Sequence, residues 1–160
     1  MDEAKPKKIT DEKIGLTKAE HYCAYQERSQ QEVRDKLYEW GLYPQSVENI
    51  ISQLVIGNFL NEERFAKTYV KGKFNQKGWG KIKIKQGLKF KRVPDVLIKK
   101  ALQTIDLDNY LQTLQKVLLK KAAVTTEKNS QKRRYKLQQY AMGRGYEADL
   151  IADVLKNSDL

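Results

Sequence analysis

The sequence predicts an all-α fold of nine helices arranged as three tandem three-helix repeats. Three observations carry that prediction: helix start and stop signals that recur along the chain, apolar residues spaced three and four apart, and a 13-residue register that returns in each third. In the first third, Thr17 with Glu20 and Ser29 with Glu32 each fit a capping box, in which the hydroxyl takes one orphan amide and the glutamate reaches back to another. The helices so opened carry Tyr22 and Tyr25, then Val33, Leu37 and Trp40, and Gly41 stands where a left-handed stop would be. Pro44 opens a third helix whose stripe is Val47, Ile50, Ile51 and Leu54, ending at Gly57. Residues 1–15 lack apolar periodicity and are expected to form a flexible tail.

The same order continues. Asn61 is a candidate N-cap before Phe65, Ala66, Tyr69 and Val70, and Pro94 opens a helix with Leu97, Ile98, Ala101 and Leu102. The last third offers Leu111, Leu114, Val117 and Leu118, then Tyr135, Leu137 and Tyr140 before Gly143, then Leu150, Ile151, Val154 and Leu155. The repeats are accordingly placed at 16–60, 61–105 and 106–160.

One stretch resists this pattern. In "KGWGKIKIKQGLKFKRV", lysine alternates with isoleucine from Lys81 to Lys85, the period of a strand, and Gln86-Gly87 would have to serve as a hairpin turn. The register decides for a helix. Leu37 precedes Ile50 by 13 residues and Leu137 precedes Leu150 by 13, so Leu97 points back to Ile84 as the equivalent core position. On that helix Ile84 and Leu88 face the core, while Trp79, Ile82 and Phe90 fall on another side.

Of a formal net charge of +11, most is concentrated in one segment: residues 71–100 hold 11 Lys or Arg and a single acidic residue, Asp95. Such a patch with aromatic residues interleaved points to an anionic partner. Catalysis finds little support. Cys23 and His21 are each alone, which excludes an intramolecular disulfide and a zinc site built from several such ligands, and Glu62 and Glu63 project about 100° apart on a helix. Neither a signal peptide nor a membrane span is apparent, so a cytoplasmic protein is expected.

Several segments in order resemble the RecX family, the small bacterial regulators of the RecA recombinase. "RSQQEVRDKL" resembles the family's opening segment, "NFLNEERFAKTYV" its Gly-Tyr-Leu-Asp-Asp-x-Arg-Phe-Ala segment, "KGWGKIKIKQGL" its Lys-Gly-aromatic-Gly segment, and "RYKLQQYAMGRGYEADLIADVL" its closing segment. Asn61 and Glu62 stand where the family favours two aspartates, Gly87 where a helix former such as Glu is usual, and Arg92 where Gly is common. The resemblance implies an elongated, curved array with no cofactor; a monomer without enzymatic activity is expected. It further implies binding in the groove of the RecA filament on single-stranded DNA, where the protein would curb ATP hydrolysis, strand exchange and repressor self-cleavage in homologous recombination, DNA repair and the SOS response.

The residues expected at such an interface are Lys77, Trp79, Lys81, Lys83, Lys85, Lys89, Lys91 and Arg92, with a second cluster at Lys128, Lys132, Arg133, Arg134 and Lys136 on the middle helix of repeat three. The bland alternative for the lysines is a solvated surface, and for Trp79 a place in the core. Gly78 and Gly80 read as a helix boundary, and Arg28 and Arg64 as either ion-pair formers or interface contacts. The rival function is a stand-alone helical nucleic-acid-binding protein, since charge alone does not tell DNA from a protein–DNA filament.

Overall fold

The computed structural model describes residues 7–160, and among these the regular structure is helical throughout. Nine helices follow one another: α1 (Glu12–Tyr25), α2 (Gln30–Trp40), α3 (Pro44–Ile56), α4 (Glu62–Lys77), α5 (Lys81–Phe90), α6 (Asp95–Leu102), α7 (Leu107–Val124), α8 (Ser130–Gly143) and α9 (Ala148–Lys156). None of them is long and apolar enough to cross a membrane.

Most of the expected caps are in place. Ser29 accepts from the Glu32 amide at 3.1 Å, Asn61 from the Arg64 amide at 2.9 Å, Pro44 sits in the first turn of α3, and Gly41 closes α2 at φ 106°. The first helix departs from expectation. It starts at Glu12, because the Asp11 carboxylate takes the amides of Lys13 at 2.8 Å and Ile14 at 3.1 Å. Thr17 is therefore mid-helix, its hydroxyl donating to the Lys13 carbonyl, and does not cap anything. Residues 12–15 of the expected tail are therefore helical, and the Ile9 amide donates to the Trp40 carbonyl at 2.8 Å; residues 1–6 of it lie outside the described residues.

The three repeats fold as two compact units, one comprising the chain through Ala66 with Lys91–Val93, the other Lys67–Phe90 with Pro94–Leu160. In the first, α1, α2 and α3 pack around Ala19, Val33, Leu37, Val47, Ile50 and Leu54, with Leu42 and Leu60 closing the ends. The α1 backbone approaches so closely at Gly15 that an added Cβ would lie 2.7 Å from a Leu42 methyl and 3.0 Å from one of Ile50. Cys23 is buried here, and burial pushes its thiol up to about 11, as befits a packing residue.

In the second unit α5 packs on α6, while α7, α8 and α9 pack on one another. The register holds with one shift. Ile84, Leu137 and their counterpart Leu37 are all fully buried, but in α6 and α9 the deepest residues are Ile98 and Ile151, whereas Leu97 and Leu150 are only half-buried. In these two helices the buried stripe is centred nearer the second residue of the pair, whereas in α3 Ile50 and Ile51 share the core.

Candidate anion-binding surface

The alternating Lys-Ile segment forms α5, a ten-residue helix that runs through Gly87 without a break. Ile84 and Leu88 are fully buried one turn apart, as the register requires, and Phe90, 88% exposed, lies on the outer side. Gly87 has a steric role. A Cβ there would fall 2.1 Å from the Tyr69 hydroxyl, so the missing side chain admits the phenol of α4 against α5. After Phe90 the chain turns at Arg92 with φ 58°, the left-handed conformation for which glycine is best suited.

The start of α5 is fixed by the turn between α8 and α9. Gly80 and Gly145 lie backbone to backbone: a Cβ on Gly80 would sit 2.3 Å from the Gly145 carbonyl group. Around this contact the Gly80 amide donates to the Arg144 carbonyl at 2.8 Å and the Ile82 amide to the Gly145 carbonyl at 2.9 Å. The Tyr146 hydroxyl donates to the Gly78 carbonyl at 2.8 Å. The Lys81 amide donates to the Tyr110 hydroxyl at 3.0 Å, which itself donates to a Glu147 carboxylate oxygen. Both phenols are buried; burial, and for Tyr110 also the bond to Glu147, holds them above the ordinary tyrosine range, Tyr146 at about 12. The "KGWG" and "RGY" segments, which looked like separate signatures, are two halves of one joint.

Because three amides at this helix start are already taken, the anion-attracting groups of α5 are its side chains. Lys81 and Lys83 occupy a first turn that contains no acidic residue, a placement that opposes the helix dipole. Aromatic faces offset part of that cost: Lys81 Nζ lies 4.9 Å from the Tyr110 ring centre, and Lys83 and Lys73 lie 4.4 Å and 4.7 Å from that of Trp79. Trp79 is half-buried under these two ammonium groups. Lys81, Lys85 and Lys99 rim a groove of about 440 Å³ against Ile98 and Leu102 of α6.

Other expected residues are differently engaged. Lys89 lies 4.0 Å from Asp95, and Lys91 pairs with Glu32 of the first unit at 3.2 Å. Lys77, Lys85, Arg92, Lys128, Lys132 and Arg134 are exposed. Lys136 pairs with Glu127, whose carboxyl is held below its ordinary value by the Asn129 amide and by Lys136. Arg133 does not belong with the exposed cations of its cluster. Its guanidinium bonds to the carbonyls of Ala122 at 2.9 Å, Thr125 at 2.8 Å and Leu160 at 2.9 Å, sealing the last turn of α7. Arg28 and Arg64 are likewise engaged internally. Arg28 bonds to the Tyr22 carbonyl at 3.2 Å, and Arg64 to the Glu27 carboxylate and to the Asn58 carbonyl at 3.1 Å.

Three cations escaped the sequence reading. Lys116 and Lys120 on α7, with Arg144 after α8, line a cleft of about 470 Å³ together with Lys77. The first two stand a helical turn apart, a spacing visible in the sequence, but their joining with Lys77 depends on the packing of α4 against α7.

The family models for RecX match this chain three times: the first three-helix domain over residues 16–54, the second over 61–102 and the third over 108–155. The chain belongs to the RecX family. A Clostridium acetobutylicum regulatory protein RecX is 35% identical across 81% of this chain and 61% of its own length. That of Oceanobacillus iheyensis is 27% identical across 87% and 51%, and that of Prosthecochloris aestuarii 28% identical across 91% and 94%. The chain therefore spans about three fifths and one half of the first two relatives. Crystal structures share the fold: RecX from Lactobacillus salivarius superimposes with a TM-score of 0.84 at 23% identity, covering 91% of this chain and 95% of that one. A second regulatory protein RecX gives 0.84 at 21% identity, covering 91% of this chain and 71% of that one.

Proposed function

We propose that this chain is a regulator of RecA that lays the basic surface of its second unit in the groove of the RecA filament on single-stranded DNA. By doing so it restrains ATP hydrolysis, strand exchange and the repressor cleavage that the filament promotes. The observation that carries this reading is α5: a helix with lysines in its first turn and no acid there, its start fixed against Gly145, with Lys81 and Lys83 half-buried over aromatic rings and Lys85 exposed beside them. Placement against the helix dipole costs roughly 0.3–1 kcal/mol per charge, a cost that a solvated surface alone does not require. Family membership and the concentration of positive charge support the same reading.

The test is a titration of RecA, single-stranded DNA and ATP with the protein. ATP hydrolysis is expected to fall as protein is added, and the effect to weaken steeply with salt. Reversing charge together at Lys81, Lys83 and Lys85, as Lys→Glu, is expected to abolish inhibition with helicity by circular dichroism unchanged. Hydrolysis that stays constant at an excess of the wild-type protein would reject the proposal.

A further inference from the structure

We infer that the cleft between the end of α4, α7 and α8 is a phosphate-binding site for the backbone of a single-stranded nucleic acid; this rests on the reading of the second unit as the surface that meets DNA, and assigns it a defined pocket. Its volume of about 470 Å³ lies within the range of roughly 300–1,000 Å³ typical of ligand sites and accommodates about one nucleotide. Lys77, Lys116, Lys120 and Arg144 line it, and the described lining contains no aspartate or glutamate. Four like charges converging on one cavity repel each other in the folded chain, and an anion reverses the sign of that contribution.

Arg144 narrows the chemistry. One terminal nitrogen donates to the Lys77 carbonyl, while Nε is buried with no hydrogen-bond partner. A buried donor left unpaired is costly, and a phosphate oxygen is the acceptor that suits a guanidinium. Lys116 and Lys120 stand on one face of α7 about 6 Å apart along its axis, a row of cations instead of a single point. Tyr140, 39% exposed at the cleft with Lys121 Nζ 4.9 Å from its ring centre, offers an aromatic face for a base adjoining the bound phosphate. A row of cations beside an exposed ring fits a strand better than a free phosphate.

The experiment uses the whole protein without RecA, a fluorescein-labelled oligothymidine as probe, and the exposed double substitution Lys116→Gln with Lys120→Gln. Losing two phosphate contacts is expected to weaken binding about tenfold and to lower the slope of log affinity against log salt by about 1.4, with the thermal melt unchanged. Oligothymidine binding unaltered in affinity and slope overturns the assignment, as does competition by inorganic phosphate or thymidine monophosphate at concentrations comparable with the oligonucleotide, which would mark a free-nucleotide site. RecA ATP hydrolysis measured with the same variant separates the two proposals. Inhibition lost with oligonucleotide binding intact makes the cleft a protein contact and overturns only the assignment. Oligonucleotide binding lost by the variant, when even the wild type leaves RecA unaffected, upholds the cleft and rejects the regulator.

Discussion

The core of the first unit is built around the aliphatic residues Val33, Leu37, Ile50 and Leu54, and no tyrosine among its described residues is buried; the second buries Tyr110 and Tyr146 to within 1% exposure and ties down both hydroxyls. Each unit also has a crowded glycine. At Gly15 the obstacles are methyl ends of Leu42 and Ile50, whereas at Gly80 they are the backbone of Gly145 and Tyr146. Aliphatic contact is non-directional and accommodates small displacements, while a phenol bonded to a particular carbonyl permits one register. The unit that carries the concentrated charge is the one whose elements are locked by directional contacts.

The largest expected effect tests that contrast at the two glycines. Gly80→Ala drives a methyl into backbone and is expected to cost about 3 kcal/mol in urea unfolding, whereas Gly15→Ala, meeting movable methyls, costs about 1 kcal/mol. Equal costs would break the comparison. Next, Tyr110→Phe removes the acceptor of the Lys81 amide and the donor to Glu147, an expected loss of about 1–3 kcal/mol in the second unit. Hydrogen exchange should show the first turn of α5 opening in that variant while α1 to α3 stay protected, and uniform loss of protection would contradict two separately stabilised units.

The smallest effect lies in the first unit. Burial, only partly offset by the Gln30 amide and by Arg34, holds the Glu62 carboxyl above its ordinary value, and one of its oxygens is buried without a hydrogen-bond partner. A group whose folded-state pKa is raised contributes stability that is present below the unfolded value and lost as pH rises through the folded one. Ionised Glu62 is therefore a mild liability at neutral pH. Glu62→Gln is expected to raise the melting temperature at pH 7, by the equivalent of about 0.5 kcal/mol or less, with the gain vanishing near pH 4. A variant equally destabilised at both pH values would refute it.

The helices were legible because their caps are local. Ser29, Gly41, Pro44 and Asn61 mark ends through residues within one helical turn, at most four positions away. The start of α1 was missed because Asp11 opens a turn whose only apolar member, Ile14, is exposed, so no stripe announces it. For α5, local alternation misled and the register across repeats corrected it, since burial of Ile84 is set by neighbours in space. The basic surface was visible as charge, but charge does not show direction. Arg133 carries the same side chain as Arg134 and turns inward because three carbonyls converge on it. The joint between Gly78 and Tyr146 spans 68 positions, and the cleft depends on it, so neither follows from any local pattern.

The chain has two tryptophans, and they fall one to a unit: Trp40 ends α2, and Trp79 precedes α5 beneath Lys73 and Lys83. An indole beside two ammonium groups emits in a field those charges set, and that field changes when an anionic surface neutralises them. Trp79 is thus an optical probe native to the basic surface, while Trp40 in the other unit, with Lys18 Nζ 4.5 Å from its ring centre and Tyr22 edge-on at 6.1 Å, reports on the first unit in the same spectrum. Engagement of the charged surface is readable as light, with no label attached to the molecule.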